Sequence, residues 1–418
     1  MNQNPQRHFE DFIPTGTDDI LTKTEALSQY LASDPQRYVD TLQPQLLQAP
    51  GSETLIKYPA SCAKNVIMLG SNAFLSLAND PAVTAAAKQA ISKYGCGTGA
   101  VPLYAGYTDL HRKLEQILSD FLGRESCLLF PTAYSANVGI ISALCGPGDV
   151  IVNDSANHAS IFDGARLSGA DLKLFLHGNM KHLEKVLRSI SSEKKGRLII
   201  TDGVFSMGGD VAKLDRICDL AEKYQARVMV DDAHGIGVVG PTGRGTPELF
   251  ICHDRVDVYL GAFSKAFGMI GGFCAGSKNL TDYLRLYART YFFSTSLPTP
   301  LTAALTACFN WLRTDPDLLA DLRSNIAFML EGLKTLGFDT GQTASAIIPV
   351  IIGDEALLTA IHHDLLKCGV YCNLVTYPAV RRKECRLRIN ILRTHRKRDL
   401  QSALAAFAKV GRKHGVIP

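Results

Sequence analysis

The sequence predicts an α/β protein with a large, mostly parallel sheet and a smaller α/β lobe behind it. Three observations carry this. Between residues 127 and 277 short apolar, β-branched runs alternate with stretches of helical period, the pattern of a parallel sheet with helical crossovers. At 418 residues the chain exceeds the usual size of one core, so two lobes are expected. Two of the apolar runs also end in chemistry. Val228-Met229-Val230 delivers Asp231, Asp232 and His234, and the run 256–263 delivers Ser264 and Lys265. Open parallel sheets collect their ligands at the carboxyl ends of strands. The expected division is an N-terminal arm at 1–65, a large domain at 66–297 and a C-terminal small domain at 298–418.

Each element has its own reason. Residues 1–50 are polar with a modest helical pattern over 21–46, and 51–64 reads as a connector or short hairpin. From residue 66 an apolar strand runs into the turn of VIMLGSNAFLSLANDP. The segment YGCGTGAVPLYAGYTDLHRKLE places four glycines before a helix start near Thr108. Its GxGxG lacks the preceding strand and the acidic partner of a dinucleotide site. Residues 127–130 form a strand, and PTAYSANVG opens a helix whose first N–H groups suit an anion. The strand 149–153 leads to NHASIFDGARLS and His158, and 171–176 is a further short strand. Leu183, Val186, Leu187 and Ile190 then share one face of a helix over 182–192. The strand 198–201 ends in DGVFSMGGD, and Leu214, Ile217, Cys218 and Ala221 repeat at helical spacing. After Lys265, GMIGGFCAGS returns as a strand to the large sheet, and a helical stretch from 280 ends in YFFSTSLPTP. The smaller lobe follows, with helical patterns to 336, the strand SAIIPVIIGD, a helix through 367, GVYCNLVTYPAV, and a strand over 387–392 in RLRINILRTH.

Composition removes several classes. A net charge of +4 with no basic block implies no nucleic-acid partner. Eleven cysteines, an odd number without CxxC or Cys/His ligand spacing, point to reduced thiols in the cytoplasm and to no metal site. MNQNPQRHFEDF lacks the apolar core of a signal peptide. No apolar run approaches the roughly 20 residues that span a bilayer. Membrane contact is expected to be peripheral at most.

Singly, a lysine after a strand or an Asp-x-x-His turn has an ordinary structural reading, but their joint spacing does not. A carboxylate facing a ring nitrogen and a lysine in imine linkage are a protein's usual handles on pyridoxal phosphate. With DDAHGIGVVGPTGRG and GAFSKAFG around them, these residues resemble the α-oxoamine synthases, pyridoxal-phosphate enzymes of fold type I (aspartate aminotransferase-like). The resemblance runs from about Leu69 to the C-terminus. It implies a decarboxylating condensation of a small amino acid, serine favoured, with an aliphatic acyl thioester of coenzyme A or a carrier protein, giving an α-amino ketone. By the same resemblance Lys265 holds the cofactor and serves as base, Asp231 faces the pyridine nitrogen, His234 the phenolic oxygen, and His158 stacks on the ring. Ser206, Ala133, Tyr134 and Ser264 complete the cofactor site, and Thr295 reaches it across a homodimer interface. Arg388, in RLRI, clamps the amino acid's carboxylate, and Asn72 lies beside the substrate.

The chain also departs from that pattern. Ala100-Val101-Pro102 replaces a Gly-Ser-Arg-like triplet, Ala262 a threonine, Ala133 a glycine, Phe74 a tyrosine and Ser76 a glycine. The NHASIFDG loop and the long N-terminal arm are most similar to bacterial serine palmitoyltransferases. An alanine-using 8-amino-7-oxononanoate synthase and a glycine-using 2-amino-3-ketobutyrate ligase are the alternatives within the family. A simple aminotransferase and a non-catalytic synthase subunit are those at its margin. Retention of Lys265 argues against the last, and thiol release with carbon dioxide separates out the aminotransferase.

Overall fold

The computed structural model describes residues 19, 21–33, 44–57, 62–191 and 196–418. Of the expected arm, residues 1–18, 20, 34–43 and 58–61 lie outside this range, and within it Thr22–Ser33 is a helix. Three short strands follow: β1 (Gln45–Leu46), β2 (Glu53–Lys57) and β3 (Lys64–Met68).

The large sheet takes β4 (Ser126–Phe130), β5 (Val150–Asp154), β6 (Asp171–Phe175), β7 (Arg197–Asp202), β8 (Arg227–Asp231), β9 (Val258–Ala262) and β10 (Gly272–Gly276). Their spatial order is β4-β10-β9-β8-β7-β5-β6. All neighbours are parallel except β10, which runs antiparallel to both β4 and β9. The reversal follows from chain length, because a parallel return needs a crossover of a dozen residues or so and only 263–271 is available. The mostly parallel α/β sheet expected from the sequence is present.

The β-branched runs form these strands because both faces are covered. β5 and β9 are buried at every residue, whereas the edge strand β6 fully buries only Phe175. Alternate side chains feed two cores. Cys127, Leu129, Val150 and Val152 enter one, and Leu128, Phe130 and Ile151 enter the other. Helix ends are marked by the residues that make them. Thr132 accepts the Ser135 N–H at 2.9 Å and starts the helix Ala133–Leu144, and Gly123, at φ 64°, ends Asp109–Leu122.

In the C-terminal lobe β11 (Ile347–Ile351), β13 (Asn373–Val375) and β14 (Arg386–Asn390) make an antiparallel sheet in the order β11-β14-β13. β12 (Val370–Tyr371) instead pairs in parallel with β3, so the N-terminal strands share a sheet with residues from far down the chain. The sequence reading assigns no element to the helices Pro81–Tyr94 and Lys397–Lys413. Among the described residues no helix is long and apolar enough to cross a membrane.

Candidate active site

The carboxyl ends of β5, β7, β8 and β9 open on a cavity of about 460 Å³, within the roughly 300–1,000 Å³ of small-molecule sites. Asp231 is the last residue of β8, and its register partner Asp202 is the last of β7. Lys265 sits three residues beyond β9, on a turn closed by Gly268 N–H to Lys265 O at 3.0 Å and Met269 N–H to Phe263 O at 2.9 Å. His158, past the end of β5, caps the helix Ala159–Ser168 by accepting the Ser160 N–H.

From β10, Gly272 supports the helix start at Ala133. A Cβ on Gly272 would lie 2.6 Å from Ala133 Cα and 2.7 Å from its N, so only glycine lets this strand approach. Thr132, Ala133 and Tyr134 line the cavity.

Adjacent strand residues point to opposite faces, and the two aspartates of DDAH part company there. Asp231 faces the cavity. Asp232 is fully buried, accepting Thr246 N–H at 2.7 Å and Tyr259 O–H at 3.0 Å. Gly203, Gly235 and Gly245 close around it, each with a would-be Cβ within 2.1 Å of its carboxylate. Asp232 is a structural acid, and the first glycine of GIG and the last of GRG pack against it.

Asp231 accepts Asn137 Nδ2–H at 2.6 Å and the Ala233 N–H at 3.0 Å. Burial pushes its pKa up, while these donors and the charges of His158 and Lys265 pull the other way. Burial and the neighbouring Asp231 carry Asp202 well above the carboxylate range. Burial lowers the Lys265 amine, helped by Arg388 and opposed by Asp231. His234 is held neutral, well below the usual imidazole range, by burial and the nearby cations. Its Nδ1 is buried and has no partner among the described residues.

Arg388 comes from the other lobe. On β14, Leu387 and Ile389 enter the core while Arg386, Arg388 and Asn390 take the opposite face. The Arg388 guanidinium is 6% exposed, donating to Ser206 O at 2.5 Å and Asn72 Oδ1 at 2.9 Å. Burial brings its pKa down to about 10, so it stays charged at neutral pH.

The cavity thus gathers Asn72, Ala133, Tyr134, His158, Ser206, Asp231, His234, Ser264, Lys265 and Arg388. The Tyr134 ring meets His158 edge-on at 6.1 Å, and its hydroxyl donates to Asp163. Thr295 is the exception. It is exposed, and its neighbour Ser296 donates its N–H to Ala100 O at 3.2 Å. The Ala100-Val101-Pro102 loop also stays out of this chain's cavity, with Pro102 beside Tyr107, Tyr291 and Ser296. Sequence reasoning missed Asn137 and Asp202. Asn137 lies four residues after Ala133 on the same helix, a spacing that places both on one side. Asp202 ends a strand as Asp231 does, and that signal was available. A larger opening of about 630 Å³ lies at the other end of the sheet. There Asp257 is paired with Arg227 at 2.7 Å and Asp149 accepts the N–H groups of Gly146 and Gly196 at 3.0 Å.

Residues 64–407 match the family described as Aminotransferase class I and II. The chain is similar to the 8-amino-7-oxononanoate synthase of Thermoanaerobacter pseudethanolicus, 44% identical over 354 residues, 85% of this chain and 90% of the relative. It is similar to the serine palmitoyltransferase of Bacteriovorax stolpii, 42% identical over 346 residues, 83% of this chain and 82% of that one. Among solved structures, a serine palmitoyltransferase from S. paucimobilis with bound pyridoxal phosphate and myriocin superposes with a TM-score of 0.90. The match is 33% identical and covers 96% of this chain and 100% of that one.

Proposed function

The chain belongs to the class I and II aminotransferase family and, within it, to the pyridoxal-phosphate-dependent α-oxoamine synthases; from that premise we propose that it joins a small amino acid, serine first, to an uncharged aliphatic acyl thioester of coenzyme A or a carrier protein. One new carbon–carbon bond forms, the amino acid's carboxyl leaves as carbon dioxide, the thiol is released, and an α-amino ketone results.

The residues fit the cofactor. His234 Nδ1, buried and unpartnered, is the kind of orphan that a phenolic oxygen satisfies. Asp231 has donors arranged for its ionised form but lacks a counter-charge strong enough to offset burial, which a protonated ring nitrogen supplies. The helix start at Ala133 suits a phosphate. Ala262 lines the cavity without a hydroxyl, which leaves that anion to backbone groups and to Ser264. Pyridoxal phosphate, when bound, supplies the electron sink for the pair left on the amino acid's α-carbon.

The chain's own groups do the rest. Lys265 holds the cofactor through its amine, whose lowered pKa favours the neutral form, and serves as the base for the α-proton. Asp231 keeps the ring nitrogen protonated. His234, neutral, would hydrogen-bond the phenolic oxygen. His158, on the cavity wall beside Tyr134, would cover the ring. Arg388 takes the α-carboxylate, a geometry its planar fork suits.

The observation that carries the substrate class is the charge of the cavity lining. Among the described residues, Arg388 and Lys265 are the only arginine and lysine that line it, and both have tasks. Among these lining residues no further lysine or arginine meets the far end of a dicarboxylic acyl chain, and burying that carboxylate unpaired costs at least a few kcal/mol. A panel of acyl thioesters against serine, alanine and glycine, read by thiol release and product mass, tests this. Medium or long fatty-acyl donors should react and succinyl thioester should not. Strong preference for a dicarboxylic donor would overturn it. The 44% identity to an 8-amino-7-oxononanoate synthase favours a second reading with alanine as the amino acid, and the same panel decides it.

We also propose a homodimer in which Thr295 meets the partner's cofactor phosphate. Its exposure, next to the exposed Phe293 and Tyr104, supports this. The division at 65/66 and 297/298 is proposed with it, since the seven-stranded sheet lies within 126–276 and the three-stranded one within 347–390. All eleven cysteines are free, which supports a reducing, cytoplasmic setting.

A further inference from the structure

His177 lies outside the cavity, yet it joins two carboxylates that brace it. Its Nδ1 is 3.0 Å from Asp154 Oδ1 and its Nε2 is 3.0 Å from Asp210 Oδ2. A neutral imidazole has one N–H, so donating to both acceptors takes the imidazolium. Hydrogen bonds to the two aspartates hold it protonated, with a pKa pushed up to about 10.

The two aspartates differ in kind. Asp154 is a fixed post. It ends β5, is 1% exposed, and also accepts the N–H groups of Ala156 at 2.9 Å and Gly178 at 3.0 Å. Asp210 closes the loop 203–210 that follows β7, and its carbonyl accepts the Phe205 N–H at 3.0 Å. The Phe205 ring packs edge-on against His177 at 4.3 Å. The next two residues carry the consequence. Ser206 O accepts Arg388 Nε–H at 2.5 Å, and Met207 O accepts Arg386 Nη1–H at 3.3 Å. Arg388 therefore takes its bearing from this loop on one side and from Asn72 on the other.

We infer that His177 is a positioning residue for the amino acid's carboxylate: it pins the loop 203–210 to the end of β5, and the loop aims Arg388 into the cavity. The inference rests on Arg388 being the carboxylate clamp. His177 touches neither cofactor site nor substrate, and its effect on the amino acid passes through Arg388.

The test is a thermodynamic cycle on the holoenzyme. The apparent dissociation constant for L-serine, and for L-alanine in parallel, is measured by absorbance titration in the parent protein, His177→Gln, Arg388→Ala and the double variant. His177→Gln should weaken amino-acid binding about tenfold, the scale of losing a supporting partner. In the Arg388→Ala background it should add little, because residues acting through one another are not additive. Amide hydrogen exchange over 203–210 should speed up in His177→Gln without any substrate present.

Unchanged amino-acid binding in His177→Gln, alongside a weakened Arg388→Ala, overturns the inference and spares the clamp. Equal weakening in both backgrounds, or unaltered exchange in the loop, overturns it as well. Unchanged binding in Arg388→Ala sinks the clamp assignment and this inference together. If His177→Gln does not fold, Asp210→Asn removes the loop-side charge from a side chain that is 25% exposed and is read in the same way.

Discussion

Lys265 and Asp231 set opposite tests, because one makes a bond to the cofactor and the other only a charge contact. Lys265→Ala should lose the borohydride-reducible lysine adduct. An adduct persisting at that site would contradict its role. Asp231→Asn keeps the shape but cannot hold a ring proton, so α-proton exchange of a bound amino acid should fall by orders of magnitude. Stability should move the other way. The pKa of Asp231 is raised by burial in the cofactor-free fold, so whatever stability this acid contributes is present at low pH and lost as pH rises through the folded value. At neutral pH the cofactor-free Asp231→Asn protein should therefore melt no lower than the parent, and thermal denaturation checks it. For His177 the folded pKa lies near 10, above the ordinary 6.5. Its contribution is fully present below about pH 6.5 and disappears as pH climbs through about 10. Melting temperature followed from pH 6 to 10 should fall less in His177→Gln than in the parent. These roles were unevenly legible. Lys265 and Asp231 could be read from their joint spacing at strand ends and the motifs around them, whereas His177 bonds aspartates 23 and 33 residues away and Arg388 bonds groups 182 and 316 residues away. Only the fold brings such partners together.

At the scale of elements, strands of the large sheet were legible because burial on both faces demands continuous β-branched runs, and their ends came within a residue or two except at β10, which starts at Gly272, four residues into the expected GMIGGFCAGS. The helices Pro81–Tyr94 and Lys397–Lys413 were not read. The first is rich in alanine and buries only Val83 and Ala90, so its apolar stripe is faint. The second buries Leu400, Ala403, Ala406, Phe407 and Val410, a regular stripe that the charged neighbours obscured. The contact between β10 and the helix Ala133–Leu144 gives the prediction at this scale. Gly272→Ala would place a methyl against backbone, not against a yielding side chain. It should cost about 1–3 kcal/mol by overpacking and push the helix start away from the cofactor phosphate. Pyridoxal phosphate affinity should drop several-fold with the Lys265 adduct still able to form at saturation. Unchanged affinity would mean that this helix start does not hold the phosphate.

For the whole molecule, the cavity draws on both lobes: Arg388, Asn373 and Val375 come from the smaller one, and Lys265 and Asp231 from the larger. Thr295 lies exposed away from it, and its neighbour Ser296 is packed against the Ala100-Val101-Pro102 loop. If a second copy completes the site, an inactive Lys265→Ala chain mixed with an inactive Thr295-segment variant should regain activity in heterodimers. Full activity in a demonstrated monomer would rule that arrangement out. The sequence could not reveal which face Thr295 presents, because its neighbours there belong to segments distant in the chain. The reaction itself is tested most directly by following one turnover ledger: serine labelled in its carboxyl carbon, a fatty-acyl thioester, and simultaneous measurement of labelled carbon dioxide, free thiol and product mass. Equal amounts of carbon dioxide and thiol, with a product of the α-amino ketone's mass, are the predicted result. A keto acid formed without thiol release, or thiol released without carbon dioxide, would contradict the account.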